Sequence, residues 1–286
     1  MTLWEAALLG LVQGLFMFIP VSSTSHLALT QHWLLDRGSA MADQDSPEMI
    51  LFDVVVHAGT LVSIVVVMRV SLGRLMTGIW TDVRQATSRR DLDGLHHLRM
   101  AWLGMITVAV TGVLGLVVRA VGTGAFASPG VIAAALIVTG AILWWTDTAG
   151  PQWRDARQLT VWVAIAIGVA QAAALLPGLS RSGLTIAMAL LLGMHRKLAA
   201  EYSFFVAIPT ILAATAVQAV DVIRDPDLSF AIGWGEYAMG FVVAAVVGAG
   251  ALVAVLKLLY QARFRYFTVY VVALAIVILV VQPIHL

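Results

Sequence analysis

The sequence predicts an all-α polytopic membrane protein, built as an inverted-topology repeat with six full transmembrane helices and two re-entrant helix pairs. Three observations predict it. Of the 286 residues, 60% are hydrophobic and only 12% charged, with a mean hydropathy of +0.93, which excludes an ordinary soluble domain. Six apolar stretches are each long enough, at about 20 residues, to cross a bilayer as a helix. Two further apolar regions are broken near their middle by a proline and a run of hydroxyl side chains, as membrane helices are where protein or a water-filled cavity surrounds the break.

In chain order, the full spans are read at roughly 51–69, 99–119, 130–147, 198–220, 237–257 and 266–284, and the interrupted regions at about 3–35 and 160–195. The N-terminus lacks the basic lead and small-residue cleavage site of a signal peptide, so the first apolar region is expected to stay in the mature protein. The absence of cysteine excludes disulfide and thiolate chemistry. Residues 70–98 read as a mixed-charge loop with Asp82, Asp91, Asp93 and the neighbouring His96 and His97. Such a pair on a solvated loop is expected to be merely solvated rather than metal-bound.

The two interrupted regions resemble each other. Thr2-Leu3-Trp4, Gly10-Leu11-Val12-Gln13, Pro20 and Ser23 line up with Thr160-Val161-Trp162, Gly168-Val169-Ala170-Gln171, Pro177 and Ser180, with a one-residue difference between Gln and Pro. Downstream, Ala58-Gly59-Thr60-Leu61 is echoed by Ile208-Pro209-Thr210-Ile211. The expectation is a single integral membrane domain over 1–286, with repeat one at about 1–147 and repeat two at about 160–286. A re-entrant pair returns to the side it entered from, and three full spans separate the pairs, so the second half is inserted upside down. Folds of this kind place their site near the midplane, where the broken helices meet.

Charge sets the orientation. Arg69, Arg74, Arg84, Arg89, Arg90, Arg99, Arg154, Arg157, Arg196, Lys197, Lys257, Arg263 and Arg265 fall on one side, and Arg37, Arg119 and Arg224 on the other. The basic side is expected to be cytoplasmic, with both termini outside. Arg181 alone is left at membrane depth.

That arginine stands in Pro177-Gly178-Leu179-Ser180-Arg181-Ser182-Gly183-Leu184-Thr185. Its forked donors match phosphate oxygens, and the Pro-Gly break ahead of a new helix frees backbone N–H groups for the same anion. The other break carries Gln13 and then Pro20-Val21-Ser22-Ser23-Thr24-Ser25-His26. Three serines, a threonine and a histidine supply hydroxyl nucleophiles, phosphate donors and a group that exchanges protons near neutrality. Helix capping accounts for one such hydroxyl, not four. His32 and His57 are weaker candidates. Asp53 and Glu201 open the spans that follow the two pairs, from where either could approach the site as a spare carboxylate, but each is expected to sit at a helix N-terminus.

These motifs, with Val12-Gln13-Gly14, Phe52-Asp53-Val54-Val55-Val56-His57-Ala58-Gly59-Thr60-Leu61 and Ala199-Ala200-Glu201-Tyr202-Ser203-Phe204 running on to Pro209, resemble the bacitracin-resistance type undecaprenyl-diphosphate phosphatases over nearly the whole chain. The resemblance implies a bacterial inner-membrane hydrolase of the cell-wall carrier lipid, with its site open to the periplasm and a magnesium or calcium requirement. It implies Ser23 as nucleophile, His26 as base or alternative nucleophile and Arg181 as phosphate clamp. Gln13, Ser22, Thr24, Ser180, Ser182 and Thr185 form the surrounding polar shell, and the metal ligands are left unassigned. Expected partners are the polyprenyl diphosphate and membrane lipids, with a homodimer open and no nucleic acid.

The chain departs from the family pattern at one place. The pattern has an acidic or amide residue followed four positions later by glutamate; Gln13 fits the first, but Met17 occupies the second. A thioether neither takes a proton nor binds magnesium well. Ser25, where glycine is common, is a milder change. The alternative reading is therefore a lipid-phosphate transporter or flippase in which binding persists without turnover.

Overall fold

The computed structural model describes residues 1–88, 94–121, 129–148, 153–225 and 232–281. Among them are eleven α-helices: α1 (Leu3–Phe18), α2 (Ser23–Asp36), α3 (Pro47–Val67), α4 (Arg69–Ser88), α5 (His96–Val121), α6 (Pro129–Asp147), α7 (Val161–Ala173), α8 (Arg181–Leu191), α9 (Arg196–Ile223), α10 (Trp234–Tyr260) and α11 (Arg265–Val281). Five of these, α3, α5, α6, α9 and α10, are long and apolar enough to cross a membrane, which makes the chain a multi-pass membrane protein. The expected sixth span, α11, is apolar but has 17 described residues, about 26 Å of helix against a hydrocarbon core of about 30 Å.

Both interrupted regions are helical hairpins. In the first, α1 is capped by Thr2 and Glu5 in a reciprocal box, and the Ser39 hydroxyl beyond the end of α2 donates to the Glu5 carboxylate at 2.7 Å. The hairpin is thus closed at its open end. In the second, Arg154 N–H donates to Gly193 O (2.8 Å) and His195 N–H to Arg154 O (3.3 Å), tying the segment before α7 to the one after α8.

The two hairpins open toward opposite ends of the molecule. The starts of α1, α3 and α10 gather at one end, where Tyr237 reaches Glu48 O and Leu3 lies beside Gly235. The opposite end gathers the starts of α5, α7, α9 and α11: Arg99 donates to Arg157 O and Leu159 O, Ser71 to Glu201, and Asp147 meets Arg196 and the Arg265 N–H. Exposed tryptophans mark both ends, Trp4, Trp33 and Trp234 at the first and Trp102, Trp144, Trp145 and Trp153 at the second, as expected of rings at a bilayer surface.

Each hairpin packs on a long helix of the other half, α1 on α10 and α7 on α5, while α6 lies antiparallel along α11. Small residues four apart permit the first approach, Gly10 and Gly14 facing Gly240, Ala244 and Gly248, because without a water-driven hydrophobic force membrane helices associate by close packing. A Cβ on Gly10 would stand 2.6 Å from Gly240 O. Gly10→Ala is therefore expected to force α1 from α10 and lower stability by about 1–3 kcal/mol, the scale of overpacking, outweighing about 1 kcal/mol of helix propensity. Thermal unfolding in detergent reads this out, and an unchanged midpoint would contradict the packing.

The mixed-charge loop expected at 70–98 is a helix over most of its length. In α4, Leu72, Leu75, Met76, Ile79, Trp80 and Val83 recur at helical spacing, and Leu72 and Leu75 turn inward. Asp82 accepts from the N–H groups of His97 (2.8 Å) and Leu98 (2.9 Å), so it caps α5. Asp91 and Asp93 lie outside the described residues.

Candidate active site

The two breaks meet inside the molecule. The first spans residues 19–22, where Pro20 ends α1 and Ser22 takes a left-handed backbone (φ 68°) that serine rarely adopts, a strain typical of functional sites. Val21 is buried against Ala133, Leu136 and Val271 of α6 and α11. The second break runs through Pro177 and Gly178. Gly178 has φ 90°, a Cβ there would stand 2.7 Å from Ile132 O, and the Thr139 hydroxyl donates to its carbonyl at 3.2 Å. Only glycine satisfies both the dihedral and the approach to α6.

Where the tips touch, Ser182 Oγ donates to Phe18 O (3.4 Å), and a Cβ on Gly183 would lie 3.2 Å from that of Pro20. Helices α2 and α8 both begin at this contact. Their first residues, Ser23 and Arg181, both reach the Met17 sulfur, so the two positive dipole ends lie at one place.

Three donors converge there on the Met17 thioether: Gln13 Nε2 at 3.5 Å, Ser23 Oγ at 3.8 Å and Arg181 Nη2 at 4.0 Å from Sδ. Gln13 is fully buried, and its Oε1 has no hydrogen-bond partner. A weak acceptor thus occupies the point at which amide, hydroxyl and guanidinium donors aim, and an anion's oxygens would satisfy them far better.

The remaining candidates divide. Ser22 makes no cap; its hydroxyl bonds those of Ser25 (3.1 Å) and Thr24 (3.4 Å), and Thr24 is exposed. Ser180 caps α8, accepting from Gly183 N–H at 3.2 Å, and lies 3.5 Å from Ser182 Oγ. Thr185 donates to Arg181 O at 2.8 Å and also meets the Ser203 hydroxyl, so it braces α8 rather than facing the donors. His26 contacts the Ser22 carbonyl and the Tyr270 hydroxyl, each at 2.7 Å, with no bond to Ser23. Tyr270 had no signal in the sequence beyond being a phenol in an apolar span.

The two spare carboxylates also separate. Glu201 is not in the first turn of α9, which opens at Arg196; it accepts from Ser71 (2.7 Å) and stands 3.7 Å from Arg74, at the end of the molecule away from the breaks. Asp53 is not in the first turn of α3 as expected; it accepts from Gln31 of α2 at 3.1 Å, and its backbone carbonyl takes the Nδ1 hydrogen of His57.

A family profile described as "Bacitracin resistance protein BacA" matches residues 6–277. The chain belongs to the BacA family. Among its relatives, the "Undecaprenyl-diphosphatase" of Alkalilimnicola ehrlichii is 50% identical over 277 residues, covering 96% of this chain and 95% of that protein. The one of Halorhodospira halophila is 49% identical over 280 residues, covering 98% and 97%. A third of the same name, from Gemmatimonas aurantiaca, is 35% identical over 278 residues, covering 97% of each chain. The BacA match includes both breaks, and so every residue of the candidate site.

Proposed function

We propose that this protein hydrolyses undecaprenyl diphosphate to undecaprenyl phosphate and inorganic phosphate. The observation that carries the reading is the convergence of Gln13, Ser23 and Arg181 on one point between two helix N-termini, in a chain sharing half its sequence with a protein named undecaprenyl-diphosphatase.

In this reading Arg181 grips the diphosphate through its fork, and the N–H groups that open α2 and α8 take further oxygens. The Ser23 hydroxyl or a water attacks the terminal phosphorus in line, and the bond to the bridging oxygen breaks with undecaprenyl phosphate leaving. Attack by Ser23 gives a phosphoserine that water then cleaves. His26 is the proposed proton acceptor. Little covalent work falls to the protein, so positioning and charge supply most of the acceleration.

The expected magnesium or calcium does not find a cage of side chains. Among the described residues, no group of three or more His, Asp or Glu could hold a metal ion. Met17 fills the place of the family glutamate, and the oxygen on offer beside it is Gln13 Oε1. We propose that such an ion arrives with the diphosphate and takes its ligands from phosphate oxygens and water.

The same reading makes the two hairpins re-entrant pairs of an inverted repeat in a bacterial inner membrane. Supporting it, the hairpins open at opposite ends, and Gly10 packs on α10 as its counterpart Gly168 packs on α5. The basic residues Arg74, Arg99, Arg154, Arg196 and Arg265 sit at the end away from the N-terminus, which fits a cytoplasmic face, a periplasmic opening for the site and both termini outside. Contacts with surrounding lipid and a homodimer belong to this proposal. The transport reading finds no support, since the relatives are named as diphosphatases.

Purified protein in detergent, given undecaprenyl diphosphate with and without magnesium or calcium, is expected to release inorganic phosphate. Binding of the lipid with no release under any of these conditions would overturn the assignment and restore transport.

A further inference from the structure

The His26 ring is held at both nitrogens and on a face. Nδ1 lies 2.7 Å from Ser22 O. A carbonyl oxygen only accepts, so Nδ1 carries the ring hydrogen. Nε2 is left with the lone pair, and the Tyr270 hydroxyl, 2.7 Å away, donates to it. Phe16 stacks on the imidazole with centroids 3.9 Å apart, and the Tyr270 ring lies nearly parallel to it at 5.6 Å.

Tyr270 is itself well anchored. Its neighbour Val271 is fully buried against Val21, and Thr268 donates to Gly140 O at 2.9 Å, so α11 brings the phenol to a fixed place beside the first break. The Tyr270 side chain is not core filling, since 42% of the residue's surface is exposed. Its defined polar partner is His26.

Resting on the phosphatase reading, we infer that the Tyr270 hydroxyl holds the His26 ring at Nε2 and carries the proton of the attacking group to that nitrogen, in the Nδ1–H tautomer that the Ser22 carbonyl sets. A phenol hydroxyl suits this task because it both donates and accepts. The one Nε2 lone pair takes the Tyr270 hydrogen, so the proton arrives through that hydroxyl: Oη passes its own hydrogen to Nε2 as it takes the one released by the attacking group, and it then accepts from the Nε2–H of the charged ring. The imidazole thus keeps its place as the proton comes and goes.

The test is Tyr270→Phe in the full-length protein, which removes the hydroxyl and keeps the ring. The expected result is a fall in kcat of about tenfold, the worth of one hydrogen bond, with KM within about twofold. The pH profile of kcat is expected to move, and ¹⁵N spectra of the labelled histidines are expected to show the His26 Nε2 signal shifting as its hydrogen bond is lost, with Nδ1 still protonated. Unchanged kcat and pH profile would overturn the inference. So would a loss of activity that only tracks a lowered unfolding temperature, with the profile of the surviving activity unchanged. Absence of phosphate release by the unmodified protein would instead bring down the phosphatase reading, and with it the catalytic half of the inference. The ¹⁵N spectra would still decide whether the Tyr270 hydroxyl bonds Nε2.

Discussion

Arg181→Lys is expected to lower kcat/KM for undecaprenyl diphosphate by about a hundredfold or more, corresponding to about 3 kcal/mol of lost transition-state stabilisation. Lysine keeps the charge, so the effect isolates geometry. The guanidinium starts α8 where the two hairpin tips touch, and its Nη2 joins Gln13 and Ser23 in facing Met17 Sδ. An ammonium on a flexible stem cannot present two parallel donors to a phosphoryl group whose charge is spreading over its oxygens. Steady-state phosphate release is the measurement, and turnover like that of the unmodified protein would remove Arg181 from the role of clamp.

The second large effect is expected for Ser23→Ala. The Ser23 hydroxyl caps no helix, and its bond in the structure is the weak one to Met17 Sδ, so removing it leaves the fold intact. If Ser23 is the attacking group, activity falls at least about a thousandfold, in keeping with the loss of an enzyme's nucleophile. An unchanged unfolding temperature should accompany the loss. Substantial turnover in the alanine variant would assign the attack to water and leave Ser23 as one of three donors to phosphate.

The sequence showed the site's polar half and hid its aromatic half. Both breaks were legible because Pro20 and Pro177-Gly178 interrupt apolar runs, and the hydroxyl clusters beside them had too many members to be caps. Arg181 stood out because a charge at membrane depth needs a reason. Tyr270 did not, since a phenol in an apolar span is ordinary and its partner His26 is at the other end of the chain. Met17 was visible as a departure, but that Gln13, Ser23 and Arg181 all turn to its sulfur depends on how two distant hairpins dock. Helix α4 was missed because its arginines lowered the hydropathy of a segment whose apolar residues still recur every three or four positions. Asp53 was misplaced because α3 begins earlier than the hydropathy suggests, at Pro47 behind the Ser46 cap.

The meeting of the two hairpin tips carries a consequence for how the protein is made. The tip bearing Ser22 and Ser23 leaves the ribosome long before the one bearing Arg181, and so does its partner helix α1 relative to α10. Until the second half arrives, the first hairpin has neither the small-residue surface of α10 nor the Ser182 contact to Phe18 O. Its polar turn must wait at the lipid surface or within the insertion machinery, and assembly is completed only when the last helices are delivered. A chain truncated after α9 should accordingly be recognised and degraded as an orphan, even though every residue of the converging donor set has already been synthesised.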